Sequence, residues 1–143
     1  MGRLKTAALL LLLTAAGLCH VHAGTVLLTI DAEKDNDPEH LRELNIKVPA
    51  TYFLLGEFAR NNFELVRSLA KGNTIGAHGY SHESMLKLPE ATIEAELTLT
   101  KLMLEDATQR PIKWFRAPLL ETNEILHKQL VQTDYTFDRS DPE

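Results

Sequence analysis

The sequence predicts an α/β protein built from parallel βαβ units, and three observations lead to this fold class. Short, continuously apolar segments alternate with longer amphipathic ones from Gly24 to the end of the 143-residue chain. Uninterrupted apolar runs are typical of strands that are buried on both faces of a parallel sheet, and the amphipathic segments between them suit crossover helices. Reactive polar side chains follow the apolar runs, where the carboxyl ends of parallel strands would bring them together.

Five segments are predicted to be strands because each is short, rich in apolar or aromatic residues and bounded by polar or turn residues. They are residues 24–31 (GTVLLTID), 49–56 (PATYFLLG), 73–78 (NTIGAH), 112–118 (IKWFRAP) and 134–138 (DYTFD).

Four helices are predicted between these strands, over residues 37–46, 57–72, 88–108 and 122–132. The first begins with Asp-Pro, the second ends at Gly72, and Pro89 lies near the start of the third. Thr122 is the predicted N-cap of the fourth.

Residues 1–23 have the pattern of a secretory signal peptide: a basic start, an apolar run and a small residue, Ala23, before the cut. An uncleaved membrane anchor is the alternative, although the apolar run is short for a span. A lipoprotein signal at Cys19 is less consistent, because Leu18 precedes the cysteine. The sequence therefore predicts a secreted or periplasmic chain, with no stable membrane span after cleavage.

Cleavage would remove Arg3 and Lys5, so the formal net charge would change from −5 to −7. It would also remove Cys19, the only cysteine, so disulfides would not stabilise the exported domain. An acidic chain without a basic cluster argues against nucleic acid as a partner. The remaining residues, about 120, suffice for one small domain with a core.

Four polar residues are predicted to lie at strand ends: Asp31, His78, Arg116 and Asp138. His82 follows His78 by four residues, and on a helical turn this spacing would put both imidazoles on one side. Two histidines and a carboxylate, from Asp31 or Glu33, make a three-ligand set for a catalytic metal. A second carboxylate could then act as general base.

Each of these residues also has a simpler interpretation. The two histidines could be polar residues near a turn, Asp31 a helix cap or loop acid, and Glu33 a solvated acid in the charged run DAEKDND. Arg116 is expected to pair with Asp31, or alternatively to be exposed with its stem packed on Trp114.

His40 and His127 lie in predicted helices among charged neighbours and are expected to be solvated.

The order of four short motifs resembles the polysaccharide deacetylases of the NodB-homology type, carbohydrate esterase family four. In that family the motifs are Thr-Phe-Asp-Asp-Gly, Ala-Thr-Phe-Phe, His-(Ser/Thr)-x-x-His and Arg-x-Pro. The matching segments are Thr29–Ala32 (TIDA), Ala50–Phe53 (ATYF), His78–His82 (HGYSH) and Arg116–Pro118 (RAP).

This resemblance implies metal-assisted hydrolysis of an acetamide on a sugar, usually N-acetylglucosamine in a polymer. Asp31 matches the catalytic base, and Arg116 matches the arginine that orients it. His78 and His82 match the two metal-binding histidines. The implied cofactor is a divalent metal, with zinc as the default and cobalt, nickel or iron as alternatives.

The sequence also departs from the family pattern. A second aspartate that binds the metal in the family aligns with Ala32, so Glu33 is the candidate replacement. Tyr80 and Pro118 are the residues that the resemblance implies for contact with the N-acetylated glycan.

The family's fold is a distorted (β/α) barrel of seven or eight units, whereas five strands are predicted here. The last segment, FDRSDPE, resembles the beginning of the family's fourth motif, and the chain stops inside that motif. The family's later Leu-x-His motif has no counterpart. The sequence thus predicts that residues 24–143 form an incomplete barrel of the deacetylase type, truncated at its C-terminal side. A glycan-binding module without hydrolysis, and an unrelated doubly wound domain with structural histidines, are the alternatives.

Overall fold

The computed structural model describes residues 26–33, 38–43 and 48–140. The predicted signal peptide and the last three residues of FDRSDPE lie outside the described residues. So do the first two residues of the first predicted strand and both ends of the first predicted helix.

Strands and helices alternate as predicted. In chain order they are β1 (Thr29–Ala32), α1 (Pro38–Glu43), β2 (Thr51–Leu54), α2 (Gly56–Asn61), α3 (Phe63–Leu69), β3 (Thr74–Ala77), α4 (Glu90–Thr108), β4 (Trp114–Phe115), α5 (Glu124–Gln132) and β5 (Phe137–Asp138). Short 3-10 turns precede α4 and follow β4.

The five strands form one parallel sheet in the order β1-β2-β3-β4-β5. Because crossovers between parallel strands are right-handed, a consecutive strand order places the connecting helices on the same face of the sheet. A doubly wound sheet needs a reversal of strand order, so that alternative is wrong. The sheet is not closed, which confirms the α/β prediction of an incomplete barrel.

The core lies between the sheet and its helices. On the helix side of the sheet, Ala32, Leu54 and Phe115 have no exposed surface. Leu97 and Leu104 of α4 are likewise fully buried and belong to the same apolar cluster. Burial of a leucine side chain contributes about 1.5–3 kcal/mol, so α4 holds much of the helix layer in place.

Asn62 interrupts the helix that was predicted over residues 57–72. Its backbone, at φ −132° and ψ 41°, is not helical, and its side-chain amide donates to the carbonyl oxygen of Phe58 at 3.1 Å. Asparagine competes for backbone bonds in this way and so favours helix ends. The segment therefore forms two helices, α2 and α3.

The predictions for the C-terminal third need three corrections. The fourth strand covers only Trp114–Phe115 of residues 112–118, because Pro118 begins a 3-10 turn. Asn123, and not Thr122, is the N-cap of α5, because Asn123 Oδ1 accepts from the N–H of Leu126 at 2.8 Å. The fifth strand is shorter than residues 134–138, since Asp134 has a left-handed backbone (φ 62°) and belongs to the turn.

Among the described helices, none combines the length and apolar character needed to cross a membrane.

Candidate metal centre

The carboxyl end of β1 supplies two acidic side chains. Asp31 lies within the strand and its side chain is 29% exposed. Glu33 follows the strand and its side chain is 56% exposed. Ala32, between them, is fully buried among the apolar residues, so this position offers no ligand.

His78 comes directly after β3 and is 2% exposed. Its backbone N–H donates to the carbonyl oxygen of Leu54 at 2.9 Å, which fixes it to the end of the sheet. Its Nδ1 lies 2.9 Å from the carbonyl oxygen of Arg116. A carbonyl oxygen only accepts, so Nδ1 carries the proton and Nε2 has the lone pair.

The environment of His78 favours its neutral form. Burial lowers the pKa of the imidazole below its usual value. The hydrogen bond to Arg116 and the negative charge of Asp31 oppose this effect but are smaller. A neutral imidazole is the form that binds a metal ion.

His82 approaches His78 through a loop and not along a helix face. Gly79 and His82 both have left-handed backbone conformations, with φ 78° and φ 64°. The loop brings the two imidazole rings to a centroid distance of 5.2 Å. The four-residue spacing that predicted a ligand pair is therefore realised by a turn of the chain.

Three ligand atoms, from Glu33, His78 and His82, lie within 4.8 Å of one another. His82 Nε2 is buried, makes no hydrogen bond in the described structure, and lies 3.6 Å from Glu33 Oε1. A buried polar atom without a partner calls for an explanation, and a metal ion would satisfy it. Two imidazoles and one carboxylate are also a usual donor set for zinc, so the residues present fit such an ion.

Arg116 connects this group to Asp31. Its Nη1 donates to Asp31 Oδ1 at 2.8 Å and to Thr29 Oγ1 at 3.1 Å. Its Nε donates to the carbonyl oxygen of Arg139 at 2.9 Å, and the guanidinium lies 4.3 Å from the ring centroid of Phe53. The guanidinium is thus fixed on several sides and orients the Asp31 carboxylate. Arg116 is not the exposed arginine packed on Trp114 that was the alternative.

Tyr80 belongs to the loop that joins His78 and His82, and Pro118 packs beside this loop. The Tyr80 ring lies against Gly56 at the start of α2, and its hydroxyl lies 3.5 Å from Arg60 Nη1. Pro118 is buried, and its Cγ would lie 3.1 Å from a Cβ at Gly79. Their predicted contact with substrate stays a prediction.

Two other sequence candidates lie outside the three-ligand group. His127 is about half exposed, and its Nε2 lies 3.4 Å from Asp138 Oδ2. Asp138 accepts hydrogen bonds from the backbone N–H and the hydroxyl of Ser140, whose Oγ accepts in turn from the N–H of Ala117. The side chain of His40 lies outside the described residues.

The sequence interpretation missed Glu96 of α4. Its carboxylate accepts from the backbone N–H groups of Tyr80 at 2.7 Å and Ser81 at 3.0 Å. The signal was an acidic residue on the buried stripe of α4, directly before Leu97 and four residues before Thr100, both of which are fully buried.

A sequence model of the family described as polysaccharide deacetylase matches residues 20–137. A peptidoglycan-N-acetylglucosamine deacetylase of Bacillus cereus is 34% identical over 93 residues, which are 64% of this chain and 32% of that protein. The chain thus spans about a third or less of the length of the curated relatives that it matches.

Two solved structures share the fold. A family 4 carbohydrate esterase from Streptomyces lividans, in complex with acetate, has a TM-score of 0.69 and 29% identity over 80% of this chain and 62% of that one. A pseudoenzyme of the same family from Bacillus anthracis has a TM-score of 0.72 and 25% identity over 80% of this chain and 42% of that one. Because the family model matches most of the length of this chain, the chain belongs to the polysaccharide deacetylase family.

Proposed function

We propose that this chain carries the metal centre of a hydrolase that removes N-acetyl groups from amino sugars in a polysaccharide. The observation that carries the proposal is the convergence of Glu33, His78 and His82 within 4.8 Å of one another, beside the ion pair of Asp31 and Arg116. Zinc is the proposed ion because the donor set is two imidazoles and a carboxylate. The similarity to a peptidoglycan deacetylase supports an N-acetylated glycan as substrate.

The residues divide the work as follows. Glu33, His82 and Nε2 of His78 would hold the ion, while the Nδ1–H bond of His78 to Arg116 fixes its ring orientation. When bound, the ion supplies a Lewis acid that polarises the amide carbonyl and lowers the pKa of a water. Asp31 would accept the proton of the water that attacks the acetamide carbon, and Arg116 holds its carboxylate in place. The proton taken up by Asp31 would then pass to the amide nitrogen, so that the C–N bond breaks and gives acetate and a free amine.

Metal binding tests the first half of this proposal. The chain is expected to bind zinc near one equivalent in a competition titration, and His78→Ala or His82→Ala should each weaken binding strongly. His127→Ala is the matched control, because this histidine is on α5 and outside the ligand group. Unchanged zinc affinity in both His78→Ala and His82→Ala would contradict the proposed metal centre.

Acetate release from an acetylated chito-oligosaccharide tests the second half. Asp31→Asn should retain zinc and slow acetate release by about 10²–10⁴-fold, the usual contribution of a general base. Equal rates in the unaltered chain and in Asp31→Asn would remove Asp31 from the chemistry.

A glycan-binding module that does not hydrolyse its ligand is the second candidate. It is favoured by the buried alanine at position 32 and by the similarity to a family member described as a pseudoenzyme. It predicts saturable binding of the same oligosaccharide with no acetate release, and turnover by the chain would exclude it.

We also propose export by cleavage after residue 23, which would deliver the domain to polymers outside the cytoplasm. N-terminal sequencing of the exported chain should then begin at Gly24, whereas a retained Met1 would contradict cleavage.

A further inference from the structure

The loop from Gly79 to Ser81 joins the two histidines of the proposed centre, and its backbone polar groups are held from two sides. The carbonyl oxygens of Gly79 and Tyr80 accept from the N–H groups of Gly56 and Glu57, at 3.0 and 3.2 Å. These donors are at the start of α2. The N–H groups of Tyr80 and Ser81, in contrast, point toward α4.

Among the described residues, Glu96 of α4 accepts the hydrogen bonds of these two N–H groups. Its Oε2 accepts from Tyr80 N at 2.7 Å and Ser81 N at 3.0 Å, and its Oε1 accepts from Ser81 Oγ at 2.8 Å. One carboxylate therefore makes three hydrogen bonds to two successive residues. Hydrogen bonds to a charged acceptor are shorter and stronger than neutral ones.

The backbone of Glu96 is held in position by α4. Thr100, one turn later, is fully buried and its hydroxyl donates to the carbonyl oxygen of Glu96 at 2.7 Å. Ile93 and Leu97, on either side along the helix, are buried in the core. The carboxylate thus reaches the loop from a helix whose neighbouring residues are packed in the core.

The loop has little freedom to find another arrangement. Gly79 has φ 78°, and a Cβ there would lie 3.0 Å from Met85 Cε, 3.1 Å from Pro118 Cγ and 3.6 Å from Glu96 Oε2. His82 also has a left-handed backbone, which is unfavourable for a residue with a side chain and needs support from its surroundings. Tyr80 and Ser81, which donate hydrogen bonds to Glu96, come directly before His82 in the chain.

We propose that Glu96 is a positioning residue, which sets the distance between His78 and His82 by clamping the loop that joins them. This inference rests on the proposed metal centre. Residues that orient metal ligands typically change metal affinity by about 10–100-fold when they are removed.

Zinc competition titration of the full chain tests the clamp with four variants. Glu96→Ala should weaken zinc binding by about 10–100-fold, whereas Glu94→Ala, an exposed position on the same helix, should leave it unchanged. Glu96→Gln should recover most of the affinity, because the amide oxygen can accept from both N–H groups and the NH₂ can donate to Ser81 Oγ. Ser81→Ala removes one of the three hydrogen bonds and should weaken zinc binding to a smaller extent. This variant still tests the clamp if Glu96→Ala does not fold.

The absorption spectrum of the Co²⁺-substituted chain separates positioning from simple destabilisation. Folded Glu96→Ala should have an altered ligand-field spectrum, whereas a purely structural role would lower the melting temperature and leave spectrum and affinity unchanged. Zinc affinity of Glu96→Ala equal to that of Glu94→Ala would overturn the clamp alone. No zinc binding by the unaltered chain would overturn the metal centre, and the role of Glu96 with it.

Discussion

At the scale of single residues, the site depends on backbone conformations that few side chains tolerate. Gly79 has φ 78°, and a Cβ at this position would meet two buried residues, Met85 and Pro118. Glycine adopts this region freely, whereas a residue with a Cβ loses roughly 1–2 kcal/mol there. Gly72 has neither constraint, since no heavy atom lies within 4 Å of its Cβ position and its φ is not positive.

Gly79→Ala is therefore expected to lower the free energy of unfolding by about 2–5 kcal/mol, the sum of the left-handed strain and the tight contacts. Gly72→Ala should change it by less than about 1 kcal/mol, and can stabilise the chain by restricting its unfolded state. Urea denaturation of both variants measures the difference. Equal destabilisation by the two alanines would contradict the packing assigned to Gly79.

The residue scale also separates what the sequence could predict at the site from what it could not. The spacing of His78 and His82 and the carboxylates after an apolar run identified the ligand candidates, because strand ends gather polar side chains. The role of Glu96 could not be read in this way. It depends on how α4 docks against a loop fifteen residues earlier, and periodicity identifies only the buried side of a helix.

At the scale of elements, the turn between α5 and β5 is held by ion pairs. Asp134 has a left-handed backbone, and its carboxylate bonds to Lys113 before β4 and lies 3.6 Å from Lys101 of α4. Lys101 also donates to the carbonyl oxygens of Thr133 and Asp134, at 2.9 and 2.8 Å. The turn is thereby connected to two other elements.

The hydrogen bond from Lys113, followed by the charge of Lys101, lowers the pKa of Asp134 below its ordinary value of 3.8. A lowered pKa in the folded state stabilises the chain above the unfolded-state value, and this stabilisation is lost as the pH falls through the folded-state value. Asp134→Asn should therefore have a lower melting temperature than the unaltered chain at pH 5–7, and the gap should close as the pH falls below 3.8.

Asp106→Asn is the matched control for this experiment, because Asp106 is exposed on α4 and its carboxylate makes no ion pair in the described structure. Its melting temperature should follow that of the unaltered chain at every pH. Added salt should also reduce the effect of Asp134→Asn, since the Asp134 side chain is 73% exposed and its charge is screened. A gap that persists unchanged at low pH would exclude the ion pairs as its cause.

Element types were more predictable than element ends. The apolar runs predicted all five strands and the amphipathic segments predicted the helices. Such predictions succeed because strands and helices that pack on a core have apolar residues at regular positions in the sequence. Asn62 was read as part of a continuous helix, since its competing hydrogen bond to Phe58 is visible only in the folded chain. The cap of α5 was misplaced by one residue for the same reason.

At the scale of the whole molecule, the consecutive strand order leaves one face of the sheet without helices among the described residues. In-register positions place Asp31, Phe53, Gly76, Trp114 and Phe137 on this face. Trp114 and Phe137 are stacked at a centroid distance of 4.5 Å, and Phe137 remains 45% exposed. Exposed aromatic residues on an open sheet favour binding of apolar molecules and self-association.

Phe137→Ser should reduce both the fluorescence of the dye ANS with the chain and any concentration-dependent association in sedimentation velocity. Val131→Ser is the control, because Val131 is 75% exposed but lies on α5, in the helix layer. Similar dye binding by the two variants would mean that the helix-free sheet face is not the apolar surface in solution.

The ion pair of Arg116 and Asp31 also has a consequence for the order of folding. Neighbouring strands are consecutive in the sequence, so most of the sheet can assemble from contacts between adjacent parts of the chain. This order is compatible with folding from the N-terminus during synthesis. Arg116 and Asp31 are separated by 85 residues, with two complete strands between them. Their pairing requires that the fourth strand has docked, so the geometry of the proposed site is expected to be among the last features of the described chain to form.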